Sequence, residues 1–422
     1  MTKRLTCPML GALALLLFQP LENASAAEAG GIYPRGKTLP FLGYSGDPAR
    51  DLTNGFTVAG PVYGDQLPYL RRCFSNGWPV VAHVGPHITF NDKSPDKYKL
   101  NVAALRAEVE KQMQELAPHK EIVWWAVTPE ELRPWRKDEM NYLEVVTAAI
   151  RAHDPLQRPI YLYNPNNRDA KTLEPIARQV DVLGKGCYVN SSGKKRDRSW
   201  VRWSVEQEVA ALGAAGRPGA IPLLMPELCK DPEPSEDLEI RAWVRHDIYL
   251  GLASGAKGVL IWSLFKRKEV KHSWQLWYDA YAECARELNG RRGLAQVFLC
   301  GERRANLKIT QTRGGDAASL TLGGGIETNT TSAVEQARRE IKMPSWTAVE
   351  YCHAGDNWLC LVNSANSPAA FTVRGWPTGA RAQNACDDVA IELPAGAPLQ
   401  LELPAYGVTM LRFSTAVREK SK

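Results

Sequence analysis

Two glutamates close short apolar runs, and their type and placement could do chemistry. Glu130 follows Trp124-Trp125-Ala126-Val127-Thr128-Pro129, and Glu227 follows Leu223-Leu224-Met225-Pro226. Two carboxyls facing each other across a pocket are what cleavage of a glycosidic bond requires. One donates a proton to the leaving oxygen and the other attacks the anomeric carbon. Glu131 stands beside Glu130 and competes for the acid role, although spacing from Trp125 favours Glu130. The plainer role for either glutamate is a charge at a helix N-terminus, where the helix dipole favours an anion. Neighbouring runs end in His83, Asn164, Tyr188 and Trp262. These are candidate contacts to a sugar; their plainer roles are an internally bonded histidine, a turn asparagine and core packing. His83 and His87 on one extended strand would lie ~13 Å apart, too far to share a metal ion. No C-x-x-C pair marks a structural zinc site. Gly43-Tyr44-Ser45-Gly46-Asp47 fails the spacing of a G-x-S-x-G nucleophile elbow, which speaks against an esterase.

Two basic loops flank these runs. Lys194-Lys195-Arg196-Asp197-Arg198-Ser199-Trp200 and Lys266-Arg267-Lys268-Glu269-Val270-Lys271-His272-Ser273-Trp274 each carry four Lys or Arg against one acidic residue. Lys194, Lys195, Lys266 and Lys268 are candidate grips on sulfate or carboxylate groups. Trp200, Trp203, Trp274 and Trp277 are candidate platforms for pyranose faces. Such a pattern suits an anionic sugar chain, sulfated or uronic. The alternative is a solubilising surface.

The elements that must position these residues follow from hydrophobic pattern. Short runs that are apolar on both faces occupy 40–44, 56–62, 79–85, 122–127, 159–163, 180–188, 221–225 and 258–264. That is the pattern of parallel strands buried on both sides. Amphipathic helical stretches separate them at 67–76, 102–116, 139–153, 170–179, 205–214, 237–254 and 274–288, and Gly77, Gly216 and Gly255 stand as C-caps. Eight β-α units in ~250 residues predict a closed (β/α)₈ TIM barrel, whose active site lies at the C-terminal strand ends. No G-x-G-x-x-G or P-loop supports an open dinucleotide-binding sheet. After Gly293 the alternation turns strand-like, with Gly, Pro, Asn and Asp between the runs, and predicts a small antiparallel β-sandwich. The expected layout is a barrel over 27–292, a sandwich over 293–414 and a charged tail over 415–422.

Composition narrows the partners. Hydrophobic residues at 44% and charged residues at 23% of 422 exclude a largely disordered chain. A net charge of +6 falls well short of a dedicated nucleic-acid binder. Lys3 and Arg4, the apolar run from Leu10 to Phe18 and the small-x-small triplet Ala24-Ser25-Ala26 read as a signal peptide over 1–26. The expectation is a secreted or periplasmic protein without stable membrane insertion. The eight cysteines after Cys7 leave disulfide connectivity open.

At this level of pattern the chain resembles the clan A glycoside hydrolases. The matching segments are Trp124 to Glu130, Leu223 to Glu227, Gly258-Val259-Leu260-Ile261-Trp262-Ser263, the strand-six aromatic Tyr188, and the closing Leu403-Pro404-Ala405-Tyr406-Gly407-Val408. The resemblance covers nearly the whole chain after residue 26. It implies a retaining mechanism without cofactor, Glu130 as acid/base, Glu227 as nucleophile, and a poly- or oligosaccharide substrate. One departure stands out. The clan carries Asn immediately before the acid/base, where it binds the sugar 2-hydroxyl, and this chain has Pro129. The alternative that this departure raises is a barrel that binds glycan without cleaving it.

Overall fold

A computed structural model of the chain describes residues 31–86, 100–190, 197–322, 339–394 and 396–415. The expected leader, His87, Lys194, Lys195 and residues 416–422 lie outside the described residues. The first part of the chain alternates strand and helix. Its elements are β1 (Phe41–Gly43), α1 (Pro48–Thr53), α2 (Leu67–Asn76), β2 (Val80–Val84), α3 (Val102–Leu116), β3 (Ile122–Val127), α4 (Lys137–His153) and β4 (Ile160–Asn164). There follow α5 (Ala170–Ala177), β5 (Val182–Gly186), α6 (Ser199–Ala214), β6 (Ile221–Met225), α7 (Ile240–Ser254), β7 (Val259–Ile261), α8 (Trp274–Asn289) and α9 (Leu294–Cys300). The seven strands form one parallel sheet in the order β1-β7-β6-β5-β4-β3-β2.

The two edges of that sheet do not stay open. The run 56–62 lies between them. Its Thr57 amide donates to Phe41 O, and Ser45 N donates to Pro61 O, on the β1 side. On the β2 side Ala59 N donates to Pro79 O and Val81 N to Ala59 O. This is the eighth strand the sequence predicts, and it closes the barrel. It is not a regular strand because Pro61 has no amide hydrogen, Gly60 takes φ +74°, and the Thr57 hydroxyl, not its carbonyl, receives Phe41 N.

Alternation along the strands separates two faces. Leu42, Tyr44, Val58, Val81, Trp124, Ala126, Tyr161, Tyr163, Val182, Ile221, Leu223, Met225 and Leu260 point inward and make one buried cluster. Val80, Ala82, Val84, Trp125, Val127, Ile160 and Leu162 point outward onto α3 and α4. The barrel lumen is thus a packed core of apolar and aromatic side chains.

The C-terminal part is antiparallel. It comprises β8 (Glu302–Arg304), β9 (Lys308–Arg313), β10 (Ala318–Leu322), β11 (Arg339–Met343), β12 (Trp346–His353), β13 (Asp356–Asn363), β14 (Ala369–Arg374), β15 (Ala380–Asn384), β16 (Val389–Ile391), β17 (Leu399–Leu403) and β18 (Val408–Thr415). A six-stranded sheet, β16-β15-β18-β13-β12-β8, packs on a three-stranded sheet, β17-β14-β9, and β10 pairs with β11. Leu359 and Leu361 of β13 face Phe371 and Val373 of β14 inside the sandwich. Trp358, Cys360 and Val362, on the other face of β13, pack with α7, α8 and α9 of the barrel. The sandwich is therefore cored on one side by itself and on the other by the barrel. Among the described residues no helix is long and apolar enough to cross a membrane.

Candidate active site

Parallel strands put their C-terminal ends on one face, and the inward alternation continues past those ends. His83 stands two residues beyond Val81, Glu227 two beyond Met225, and Trp262 two beyond Leu260, while Tyr188 belongs to the inward cluster itself. The β3 extension reaches the mouth through a turn at Thr128-Pro129-Glu130. Gly85 is needed beside that turn: at φ +118° it lies where a Cβ would come within 2.5 Å of Thr128 O.

The Glu130 carboxylate is held by phenols. The Tyr44 hydroxyl donates to Oε1, and the Tyr63 hydroxyl donates to Oε2 at 3.2 Å. Tyr44 in turn touches the Tyr161 hydroxyl at 3.2 Å, and the Trp262 indole N–H donates to Tyr63 Oη at 2.8 Å. Burial pushes the Glu130 carboxyl up to about 7, against the lowering effect of the Tyr44 and Tyr63 hydrogen bonds and with a further upward push from the Glu131 charge. The like charge acting on it is thus its sequence neighbour's. Glu131 itself takes φ +59°, and its main chain is pinned by Tyr163 O, which accepts from its N–H at 3.2 Å, and by the Arg168 guanidinium, which donates to its carbonyl at 3.1 Å. Of the two glutamates, Glu130 is the one whose carboxyl meets the Tyr44 and Tyr63 hydroxyls.

Glu227 is placed differently. Its Oε1 accepts from Val189 N at 2.7 Å and from Asn190 N. Its Oε2 faces the Cys229 thiol at 3.5 Å, and the side chain is 6% exposed. Burial holds its carboxyl above the ordinary carboxylate range, and the Asn190 amide, the Arg198 charge, the Val189 amide and the Cys229 thiol offset only part of that rise. Backbone hydrogen bonds to the charged form favour ionisation. A bridge between Glu227 and Trp262 extends β6 beside β7, and the Tyr281 hydroxyl donates to Glu227 O at 2.7 Å. Glu130 and Glu227 are therefore joined through one contact chain: Glu130 to Tyr63, Tyr63 to Trp262, and Trp262 to the Glu227 backbone.

The other candidates divide. Tyr188 stacks on Trp262 with ring centroids 5.2 Å apart and donates to Tyr163 Oη at 3.0 Å, so it backs the indole. Gly184 and Gly186 of β5 make this possible, because a Cβ on them would meet Tyr161 at 2.6 Å and Tyr188 at 2.9 Å respectively. His83 is at the mouth, with Nδ1 3.3 Å from Thr128 Oγ1 and its main chain clasped by the Gln66 amide. Asn164 is not a sugar contact. It is fully buried, its amide donates to Leu162 O and Gly184 O, and its oxygen accepts from Arg168. The alternation that turns Tyr161 and Tyr163 inward turns Asn164 outward. Trp200, Trp203, Trp274 and Trp277 are corrected likewise: all are buried. The first two pack against Leu320, Leu322 and Met343, and the last two lie in the helix–sandwich core. Helix α6 begins at Ser199, six residues ahead of the expected 205, because these tryptophans supply its apolar face.

Of the basic loops, Lys266 and Lys268 are exposed. Arg198 is engaged elsewhere: it donates to Asp247 at 2.6 Å and lies 4.4 Å over the Trp243 ring. Among the described residues Arg267 is a cation that reaches the mouth, with its guanidinium 4.0 Å over the Trp262 ring. Tyr44, Tyr63, Tyr161 and Arg267 are the site residues that sequence reasoning missed. The first had a signal, since it ends the run 40–44 in phase with Leu42.

Neither a family model nor a curated protein matches this chain. Solved structures do. The α-amylase of Geobacillus thermoleovorans, complexed with acarbose, is 7% identical, with 90% of this chain and 99% of that chain covered at a TM-score of 0.50. The family 27 β-L-arabinopyranosidase of Geobacillus stearothermophilus is 11% identical, with 91% and 98% covered at a TM-score of 0.51. At such identities the likeness is one of fold: a (β/α)₈ barrel carrying a C-terminal β-sandwich, shared with glycoside hydrolases.

Proposed function

We propose that the chain is a glycoside hydrolase of the retaining type, exported under its N-terminal segment and acting on a poly- or oligosaccharide. In this reading Glu227 attacks the anomeric carbon while Glu130 gives its proton to the leaving oxygen. A water then releases the glycosyl-enzyme ester, with Glu130 taking the proton of that water back. The observation that supports the reading is the placement of two buried carboxyls at one barrel mouth, linked through Tyr63 and Trp262. Glu130 is held near a pKa of about 7 in a ring of phenols, and Glu227 accepts two backbone N–H bonds that favour its anion. Two-carboxylate catalysis needs the two groups to differ in protonation, and in this reading the backbone N–H bonds at Glu227 favour its charged form over that of Glu130.

The test is product release from a panel of aryl glycosides, with the anomer of the first product read by NMR. Glu227→Ala should abolish turnover, and azide should restore part of it by forming a glycosyl azide. Near-normal activity in Glu227→Ala would overturn the assignment. The second reading, a glycan-binding barrel without turnover, is favoured by one observation: both Glu227 oxygens already face protein donors at 6% exposure. Saturable glycan binding with no product from any substrate would select it.

A further inference from the structure

The loop after β7 delivers a guanidinium to the mouth and, among the described residues, leaves it without a paired carboxylate. The Arg267 guanidinium carbon lies over Trp262, 4.0 Å from the ring centroid. One of its terminal nitrogens donates to Ser263 Oγ at 3.2 Å. Among the described residues its Nε is buried and bonds to nothing, and its side-chain hydrogen bond goes to the Ser263 hydroxyl and not to a carboxylate. A buried guanidinium N–H left open carries a desolvation cost that an oxyanion would relieve. Other arginines around this face are paired: Arg198 with Asp247, Arg133 with Glu139. A guanidinium presents a planar N–H fork whose edge can grip two oxygens at once. The place is specific. The same Trp262 donates to Tyr63, Tyr63 donates to Glu130, and the Arg267 charge bears on the Tyr63 phenol. Exposed Lys266 and Lys268 flank it and add attraction at longer range.

We propose that Arg267, seated on Trp262, binds an oxyanion carried by the sugar next to Glu130, so that the substrate is an acidic glycan. The inference rests on the glycosidase reading for the identity of the ring that bears the anion. A hexuronic carboxylate and a sulfate ester present the same chemistry to the fork. A bound anion would also raise the proton affinity of Glu130, because a like charge nearby disfavours its ionised form.

The experiment uses the full chain and matched nitrophenyl glycosides in the gluco, galacto and manno series. Each series comprises a neutral hexoside, the corresponding hexuronide, and the hexoside sulfated at its primary hydroxyl. One acidic member should exceed its neutral twin in kcat/KM by about tenfold or more, the scale of a charge-assisted pair. Which acidic member does so separates carboxylate from sulfate. Arg267→Gln should collapse that ratio, and Arg267→Lys should restore only part of it because a point charge lacks the fork. The alkaline limb of kcat should lie higher for the acidic substrate than for its twin. In parallel, calorimetric binding of the free hexose, hexuronate and hexose sulfate is measured on the wild type and on Arg267→Gln, with melting temperature as a folding control. If no glycoside is hydrolysed, the enzyme reading falls and the binding series still decides the site. Equal binding of neutral and acidic sugars, or a preference that survives Arg267→Gln, overturns the proposal.

Discussion

Glu130 lives in a balance of three effects, and each can be tested by one substitution. Burial raises its proton affinity, the Tyr44 and Tyr63 hydroxyls lower it, and Glu131 raises it again, to about 7 from the ordinary 4.5 of a glutamate. The folded carboxyl thus binds its proton more tightly than the unfolded one. Its contribution to stability is fully present below 4.5 and is lost as pH rises through about 7. Glu130→Gln should therefore be more stable than the wild type at about pH 8, by on the order of 2–3 kcal/mol, and should lose its pH dependence between those limits. Denaturant melts across that range check it, and a variant less stable than wild type at pH 8 would contradict the assigned burial. Tyr63→Phe removes a hydrogen bond that favours the carboxylate. The alkaline limb of the rate profile should then move up by about half a unit to one unit. A downward move would mean that Tyr63 does not donate to Glu130 in solution.

At the scale of elements, β5 is the strand whose small residues shape the mouth. Gly184 and Gly186 give the lumen to the rings of Tyr161 and Tyr188. Gly186→Ala would put a methyl 2.9 Å from the Tyr188 ring. The ring must then shift off Trp262, at a cost of about 1–3 kcal/mol for overpacking. Activity should fall more than stability predicts, because the displaced indole carries both Tyr63 and Arg267. If kcat/KM is unchanged while the melting temperature drops, Tyr188 is packing alone. The run 56–62 shows the opposite economy: an irregular segment closes the barrel with a few backbone bonds on each side, and Tyr63 follows directly from it.

The whole molecule is held by one sheet with two jobs. Strand β13 turns Leu359 and Leu361 into the sandwich and Trp358, Cys360 and Val362 onto the barrel helices. Across the same seam runs a buried polar chain. Ser364 Oγ lies 2.9 Å from His246 Nε2, His246 Nδ1 lies 2.8 Å from Asp247 Oδ1, and Arg198 donates to Asp247 Oδ2 at 2.6 Å. The Arg198 charge is felt at Glu227, so the seam and the site share a residue. Asp247→Asn leaves Arg198 buried without its counter-ion and should cost about 3–5 kcal/mol. Because the two parts share core, calorimetry and tryptophan fluorescence should still report one coincident transition in the wild type. Two separate transitions would mean that the sandwich folds independently of the barrel.

Much of this architecture was legible in the residues. Continuous apolar runs can only be strands covered on both faces, and their alternation with amphipathic stretches left a closed barrel as the economical solution. Glu130 and Glu227 stood out because each carboxylate follows an apolar run at a strand's C-terminal end, where a barrel places its site. What the residues could not decide was direction. Asn164 and Tyr163 are neighbours, yet only the tilt of β4 says that the tyrosine faces the lumen and the asparagine bonds to Leu162, Gly184 and Arg168. Arg198 and Arg267 sit in loops of the same composition. The first is fixed by Asp247, forty-nine positions away, and the second is left over Trp262. Local pattern encodes which residues must be buried, since burial follows from solvation one residue at a time. Which cation meets which carboxylate, and which phenol reaches Glu130, depends on distances across strands that only the closed barrel sets.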